Sequence, residues 1–570
     1  MVPPPNHLRV SRDPGAYVYA VANTSQARAA VAAADAAGAE AAGAEAGREL
    51  EVLRAPLDAI PAAWSEWELV VPARSGVGID DVDVFADHIV LYERHAAQQR
   101  IAVVPLARSL AHNSVPRDND GEQCENKQND DGEPIEALRS RADAASASIA
   151  KRGVPNAAPL AIVPLDLIFP DADGARGVPF AIDPEANARF NSERVRFTVS
   201  SPIHPPRTVE WSLREERFTA VGEAAAVPQW DPAHYVCERL WAPADVAAAG
   251  ERIERGGAGT RVPITVARRK DVALDGSAPL LLCAYGAYGV SLEAFFDIVR
   301  LPLLARGWIV ASAHPRGGGE LGRSWHDGGR LARKGNTLSD VAACVRTLHG
   351  AGYGAPARTA AMGRSAGALA VAGVACRHPE LIAACVLQAP FLDVLGAMRD
   401  AGSALAEHER DEWGDVATRA GAEAIAEWSP YDLLLDMLPG RGAGRGAGRG
   451  AGGGRANPDE EEGERHRVLP SILLTGELDD PRVPWHHAAK FAAAARHAGQ
   501  GVAQGDAQRA GSAGSNGSRR AGGGAAAPLL LLDLRDGASH FGAGGRLGRF
   551  DDDAAEYAFL THTMELEKPC

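Results

Sequence analysis

Gly363-Arg364-Ser365-Ala366-Gly367 is a G-x-S-x-G element set between two distinct stretches. The apolar run Thr359 to Met362 reads as a short strand entering it, and the small residues Ala368 to Cys376 read as a helix leaving it. In that context the glycines permit a sharp turn that lifts the serine hydroxyl above the sheet edge. A serine hydroxyl at its free pKa is a weak nucleophile and needs an adjacent base, itself oriented by a third group. The chemistry indicated is covalent acyl transfer, provided that an acid and a histidine follow.

Both follow. On a parallel sheet of the α/β-hydrolase kind the partners come in the chain order serine, acid, histidine. The apolar run Ile472 to Thr475 leads into Gly476-Glu-Leu-Asp479-Asp480-Pro-Arg482-Val483, and Leu529 to Leu532 leads into Asp533-Leu-Arg-Asp-Gly-Ala-Ser-His540-Phe. Each candidate stands just past the carboxyl end of a strand, where open α/β sheets place their sites. Taken singly, each has a plainer reading: Asp479 and Asp480 as turn residues, His540 as one of 17 histidines. Their order, each after its own strand, favours a triad.

The elements that must position these residues fall into two regimes. Residues up to about 225 carry short β-branched and aromatic runs bounded by turn residues: Tyr17–Val21, Trp67–Val71, His88–Tyr92, Arg100–Pro105, Arg194–Val199 and Thr208–Leu213. That is an all-β signature. From Pro279 onward strands alternate with helices, as in a doubly wound, mostly parallel sheet. Leu280–Tyr285 and Trp308–Ser312 are continuous apolar runs suited to strands buried on both faces, and Ala383–Leu387, Leu469–Leu474 and Leu529–Leu532 read as further strands. Thr337-Leu-Ser-Asp340 reads as a capping box opening a helix that Gly350 closes. We expect two domains, 1–225 and 226–570. Solvated or low-complexity inserts are expected near 25–48, 117–150, 440–465 and 499–527, because such compositions bury too little apolar surface to offset ordering entropy.

Composition narrows the class. The formal charge of −15 argues against general nucleic-acid binding and suits either solubility or a cationic substrate. Seven scattered cysteines, without C-x-x-C spacing, form neither a disulfide framework nor a zinc site, and point to a reduced, cytoplasmic-type compartment. No signal-type segment opens the chain and no stretch is long and apolar enough to span a bilayer, so no membrane partner is expected. No cofactor or metal is implied.

Beyond the triad, Tyr285-Gly-Ala-Tyr-Gly289, His314-Pro-Arg-Gly-Gly-Gly-Glu-Leu-Gly322, Lys334-Gly-Asn-Thr-Leu-Ser-Asp340, Glu412-Trp-Gly and Trp428-Ser-Pro-Tyr-Asp432 stand along the second half. With Gly-Arg-Ser365-Ala-Gly, Asp480-Pro-Arg-Val and Ala-Ser-His540-Phe, they resemble the prolyl oligopeptidase family of serine peptidases, and in detail oligopeptidase B. The resemblance implies an α/β-hydrolase catalytic domain and an N-terminal all-β, partial β-propeller domain. It implies Ser365 as nucleophile, Asp480 rather than Asp479 as acid and His540 as base. It further implies the Tyr285 hydroxyl and the Ala366 N–H as oxyanion donors, and Arg482 as a donor to a substrate carbonyl. A seven-bladed propeller of about 40–50 residues per blade needs roughly 300 residues; residues 1–225 are fewer, so a truncated or open β domain is expected.

The resemblance also bears on specificity. Proline-cleaving relatives carry a tryptophan where this chain has Glu409, followed by Asp411 and Glu412. This resembles the acidic wall with which oligopeptidase B accepts arginine and lysine. Chemistry agrees: a carboxylate gives a guanidinium a charge-assisted, bidentate partner and is costly to bury against a proline ring. Glu293 matches the first of two acids that help a second basic residue, whereas Phe295 replaces the other. The expected activity is therefore hydrolysis of short peptides after Arg or Lys, by a monomer or homodimer. Prolyl specificity, a broader esterase, or a silent fragment are the alternatives.

Overall fold

In this computed structural model the described residues are 7–10, 17–22, 49–56, 60–61, 66–74, 76–106, 161–165, 168, 178–222, 226–244, 259–400, 409–438, 468–498, 528–536, 540 and 546–564. The four expected inserts lie outside them. Two compact units make up the chain: Met1–Ser200 with Pro206–Ala226 and Leu321–Ser324, and Ser201–Pro205 with Val227–Glu320 and Trp325–Cys570.

Among the described residues the first unit holds three four-stranded antiparallel sheets, each a meander. They are β1 (His7–Val10), β2 (Tyr17–Ala22), β3 (Glu51–Pro56) and β4 (Glu68–Val71); β5 (Val77–Val84), β6 (His88–His95), β7 (Gln98–Pro105) and β8 (Ala161–Ile162); and β9 (Ala181–Pro184), β10 (Arg194–Ser200), β11 (Arg207–Ser212) and β12 (Arg217–Ala220). Period-two alternation makes these strands. In β10, Val195, Phe197 and Val199 are buried while Arg194 and Arg196 face out and pair with Glu210 across the strand. The first two sheets share a core that includes Val21, Val52, Val71, Val82, Ile89 and Val104.

The second unit is built on one eight-stranded sheet in the order β13-β14-β16-β15-β17-β18-β19-β20. The strands are β13 (Tyr235–Pro243), β14 (Arg261–Arg269), β15 (Leu280–Ala284), β16 (Ile309–Ala313), β17 (Thr359–Arg364), β18 (Ala384–Gln388), β19 (Ser471–Glu477) and β20 (Leu530–Arg535). From β16 to β20 every pairing is parallel, whereas β13 and β14 are antiparallel. Leu280, Leu281 and Leu282 are fully buried in succession, as two-sided coverage requires. One face packs on Trp308, Phe559 and Leu560. The other is covered by the helices Gly335–Gly350 and Ala366–Arg377, which meet where Gly373 leaves room for Leu338.

One local expectation is corrected. Thr337-Leu-Ser-Asp340 is not a capping box: the helix already begins at Gly335, and Thr337 and Asp340 lie inside it. The Thr337 hydroxyl donates to the Arg316 carbonyl at 2.6 Å, and the buried Asp340 carboxylate takes the Arg316 guanidinium at 2.7 and 2.8 Å. A long-range partner outbid the local cap. Two strands, β13 and β14, precede the region read as alternating. Pro263 inside β14 weakens its strand signal, yet it pairs with Trp241 in the ladder.

Candidate active site

Ser365 sits between β17 and the helix Ala366–Arg377, at φ +55° and ψ −120°. Few non-glycine residues hold such a backbone without support. Here the support comes from β18 and the segment after it: the Ser365 N–H donates to the Gln388 carbonyl at 2.8 Å, and the Phe391 N–H donates to the Ser365 carbonyl at 3.2 Å. The flanking glycines are steric requirements. A Cβ on Gly363 would meet the Gly367 carbonyl, and one on Gly367 would stand 2.5 Å from the Ala284 carbonyl oxygen and 3.1 Å from the Tyr285 ring. The elbow is thus pressed against the end of β15, next to Tyr285.

Asp480 follows β19 and is buried, as is His540 after β20. Asp480 Oδ2 lies 2.6 Å from His540 Nδ1. Its Oδ1 accepts the backbone N–H groups of Arg482 (2.8 Å) and Val483 (3.0 Å). Asp479 has no such arrangement, and it is exposed. The His540 carbonyl accepts Arg364 Nη1 at 3.0 Å, so the residue before Ser365 also bonds the histidine.

Tyr285 is half-buried. Burial raises its pKa, Glu412 and Glu409 add to this, and Arg482 opposes it. Its hydroxyl is therefore a donor across the neutral range. Arg482 is exposed. Glu409 accepts from the Tyr288 hydroxyl at 2.8 Å and from the Trp413 indole N–H. Tyr288 packs edge-on against Trp413, whose ring also lies against Phe391. A carboxylate framed by aromatic rings results. Asp411 is exposed and its carbonyl, not its carboxylate, accepts Arg330. Glu293 is half-buried on the 285–297 segment, and Phe295 is exposed.

Glu412, read with Glu409 and Asp411 as part of one acidic wall, is instead buried and internally bonded. Its Oε2 lies 2.7 Å from His326 Nε2, and its Oε1 accepts the Tyr288 N–H at 3.0 Å and lies 3.3 Å from Lys334 Nζ. Burial works to raise its pKa, but the His326 hydrogen bond and the Lys334 charge outweigh this and the net direction is down. Lys334, Arg364 and Tyr288 are structural partners that motif reading did not single out. Lys334 carried a signal only as the head of the Lys-Gly-Asn-Thr-Leu stretch. Among the described residues no helix is long and apolar enough to cross a membrane, and no group of three His, Cys, Asp or Glu side chains is placed to hold a metal ion.

A mostly parallel sheet with a serine on a strand–helix elbow, and a buried acid–histidine pair after β19 and β20, defines an α/β-hydrolase unit. Residues 295–511 match the prolyl oligopeptidase family, and the match takes in Ser365 and Asp480. The matched residues lie almost wholly in the second unit. The chain is 39% identical over 249 residues to dipeptidyl aminopeptidase BI of Pseudoxanthomonas mexicana, which takes in 44% of this chain and 33% of that protein. It is 28% identical over 378 residues to Protease 2 of Moraxella lacunata, 66% of this chain and 45% of that one. It thus spans less than half the length of these curated relatives. Oligopeptidase B from Leishmania major superposes with a TM-score of 0.65 at 21% identity, over 98% of this chain and 58% of that structure, a likeness of fold.

Proposed function

We propose that this chain is a serine oligopeptidase that hydrolyses short peptides after arginine or lysine. The observation that carries the catalytic part is the buried 2.6 Å contact between Asp480 and His540, beyond an elbow that holds Ser365 at positive φ. Ser365 Oγ attacks the scissile carbonyl while His540 Nε2 takes its proton and then returns it to the leaving amine. Asp480, bonded at Nδ1, selects the tautomer and stabilises the imidazolium. The Tyr285 hydroxyl and the Ala366 N–H, at a helix start where the N–H groups lack intrahelical partners, receive the oxyanion. Arg482 receives a substrate carbonyl, and Glu293 assists a second basic residue.

The specificity rests on Glu409. The Glu409 carboxylate offers a guanidinium a charge-assisted bond beside the exposed Tyr288 ring, while the buried Trp413 indole holds the carboxylate in place. The net charge of −15 supports attraction of cationic peptides. Hydrolysis of Arg-Arg and Gly-Pro fluorogenic dipeptides by the purified chain, with Ser365→Ala as control, tests the proposal. Cleavage after arginine that the substitution abolishes supports both parts. Cleavage after proline keeps the triad and sinks the Glu409 assignment. A folded chain inactive on both refutes the proposal in favour of a silent fragment. The chain spans less than half the length of the relatives it matches, which makes that third outcome worth the control.

A further inference from the structure

Lys334 is a lysine with no exposed surface, and burial of an ammonium is costly unless it is paired and hydrogen-bonded. Its Nζ donates to the Gly286 carbonyl at 2.7 Å, lies 3.3 Å from Glu412 Oε1 and stands 4.8 Å from the centre of the Trp413 ring. Glu412 in turn accepts the Tyr288 N–H and is held from behind by His326. The turn from Tyr285 to Gly289 is therefore gripped twice, at a carbonyl by the cation and at an N–H by the anion of one buried pair.

That turn needs the grip. Gly286, Tyr288 and Gly289 all have positive φ, at +76°, +58° and +67°. Tyr288 is not glycine, so the left-handed conformation is unfavourable for it and must be imposed from outside. Gly286 cannot be replaced, because a Cβ there would stand 2.6 Å from Thr337 Cγ2 and 2.7 Å from Pro315 Cγ. Packing alone does not call for a charge at residue 334: an apolar side chain of similar volume commonly matches or exceeds a buried ion pair in stability. The carbonyl that the ammonium seizes lies one residue beyond Tyr285. We propose that Lys334, paired with Glu412, is a positioning residue that sets the Tyr285 hydroxyl for the oxyanion. This rests on the reading of Tyr285 given above. Burial, opposed by Glu412, lowers the Lys334 pKa to about 8, so the ammonium predominates at neutral pH and is lost in mild alkali.

The test is a double-mutant cycle of Lys334→Met and Tyr285→Phe, read as kcat and KM on a short arginine amide. An arginine aldehyde, whose adduct carries the oxyanion, and benzamidine, which makes none, are the paired inhibitors. Loss of one oxyanion donor costs about 10²–10³ in kcat, so Tyr285→Phe is expected in that range. Lys334→Met is expected to lower kcat by about 10-fold or more with KM within about threefold, and to weaken the aldehyde but not benzamidine. In the Tyr285→Phe background it should cost less than about threefold, because residues acting as one unit are not additive. Multiplicative losses, or a change in KM alone, overturn the role of Lys334 and leave Tyr285 in place. An unaltered Tyr285→Phe enzyme overturns the Tyr285 reading, and this inference with it. Should Lys334→Met fail to fold, Glu412→Gln, which keeps an acceptor for the Tyr288 N–H while removing the counter-charge, must show the same dependence on Tyr285. An inactive wild-type chain overturns both readings.

Discussion

Replacing Ser365 by glycine should make the protein more stable as it removes the nucleophile. The cause is the elbow itself. At φ +55° and ψ −120° any side chain with a Cβ is strained, and such sparsely populated backbone states cost about 1–3 kcal/mol. Glycine relieves this but enters the unfolded state with more freedom, a loss of about 0.5–1 kcal/mol. The net gain is about 0–2.5 kcal/mol, centred near 1 kcal/mol. Alanine keeps the Cβ, so Ser365→Ala should lie within about 0.5 kcal/mol of wild type. Both variants should be inactive. Urea unfolding followed by tryptophan fluorescence suits the comparison, because Trp413 and Trp428 are fully buried in the same unit. The midpoint for Ser365→Gly should rise above that for Ser365→Ala. Equal or lower stability of the glycine variant would refute the idea that the elbow stores strain.

Three further outcomes are expected. Gly367→Ala forces a methyl against the Ala284 carbonyl and the Tyr285 ring; overpacking of this kind costs about 1–3 kcal/mol, and kcat should fall more steeply than stability, which thermal melts and kinetics together will show. Glu409→Gln should raise KM for arginine substrates while leaving the rate of fluorophosphonate labelling at Ser365 near wild type; unchanged arginine preference would make Glu409 a structural partner of Tyr288 and Trp413. His487 is buried, and burial, with His486 beside it, lowers its pKa from 6.5 to about 4. Its Nδ1 must stay unprotonated to accept the Asp393 N–H at 3.1 Å, with Lys490 bonded to the same aspartate. The folded state therefore binds fewer protons than the unfolded state between pH 6.5 and 4, so stability contributed by neutral His487 is present above 6.5 and lost as pH falls towards 4, by up to about 3 kcal/mol. Unfolding titrations of His487→Gln should show a flatter acid slope; an unaltered slope assigns the loss to other groups.

Elements whose cause is local were legible in the chain. β10 announces itself through Val195, Phe197 and Val199 alternating with Arg194, Arg196 and Thr198, and β15 through its run of leucines. The serine elbow was legible because its G-x-S-x-G pattern is local: Gly363 is demanded by the Gly367 carbonyl four residues on, although Gly367 itself is demanded by the distant Ala284 and Tyr285. Reading failed where a distant partner competed. Thr337 and Asp340 carry a capping pattern, but Arg316 takes them. β14 was passed over because its proline obscures a run from Val262 to Ala267 that the neighbouring strands bury completely.

What the sequence by itself determined is the order along the sheet of the three residues read as a triad, Ser365, Asp480 and His540, each placed by the strand before it. Tertiary structure alone decided which acid among neighbours does what. Glu409 and Glu412 are near neighbours on one helical turn, yet one faces Tyr288 and Trp413 while the other is buried against Lys334 and His326. The physical reason is that a carboxylate's role is set by the donors around it and by its distance from water, and, Trp413 apart, those donors come from segments 78 to 124 residues away.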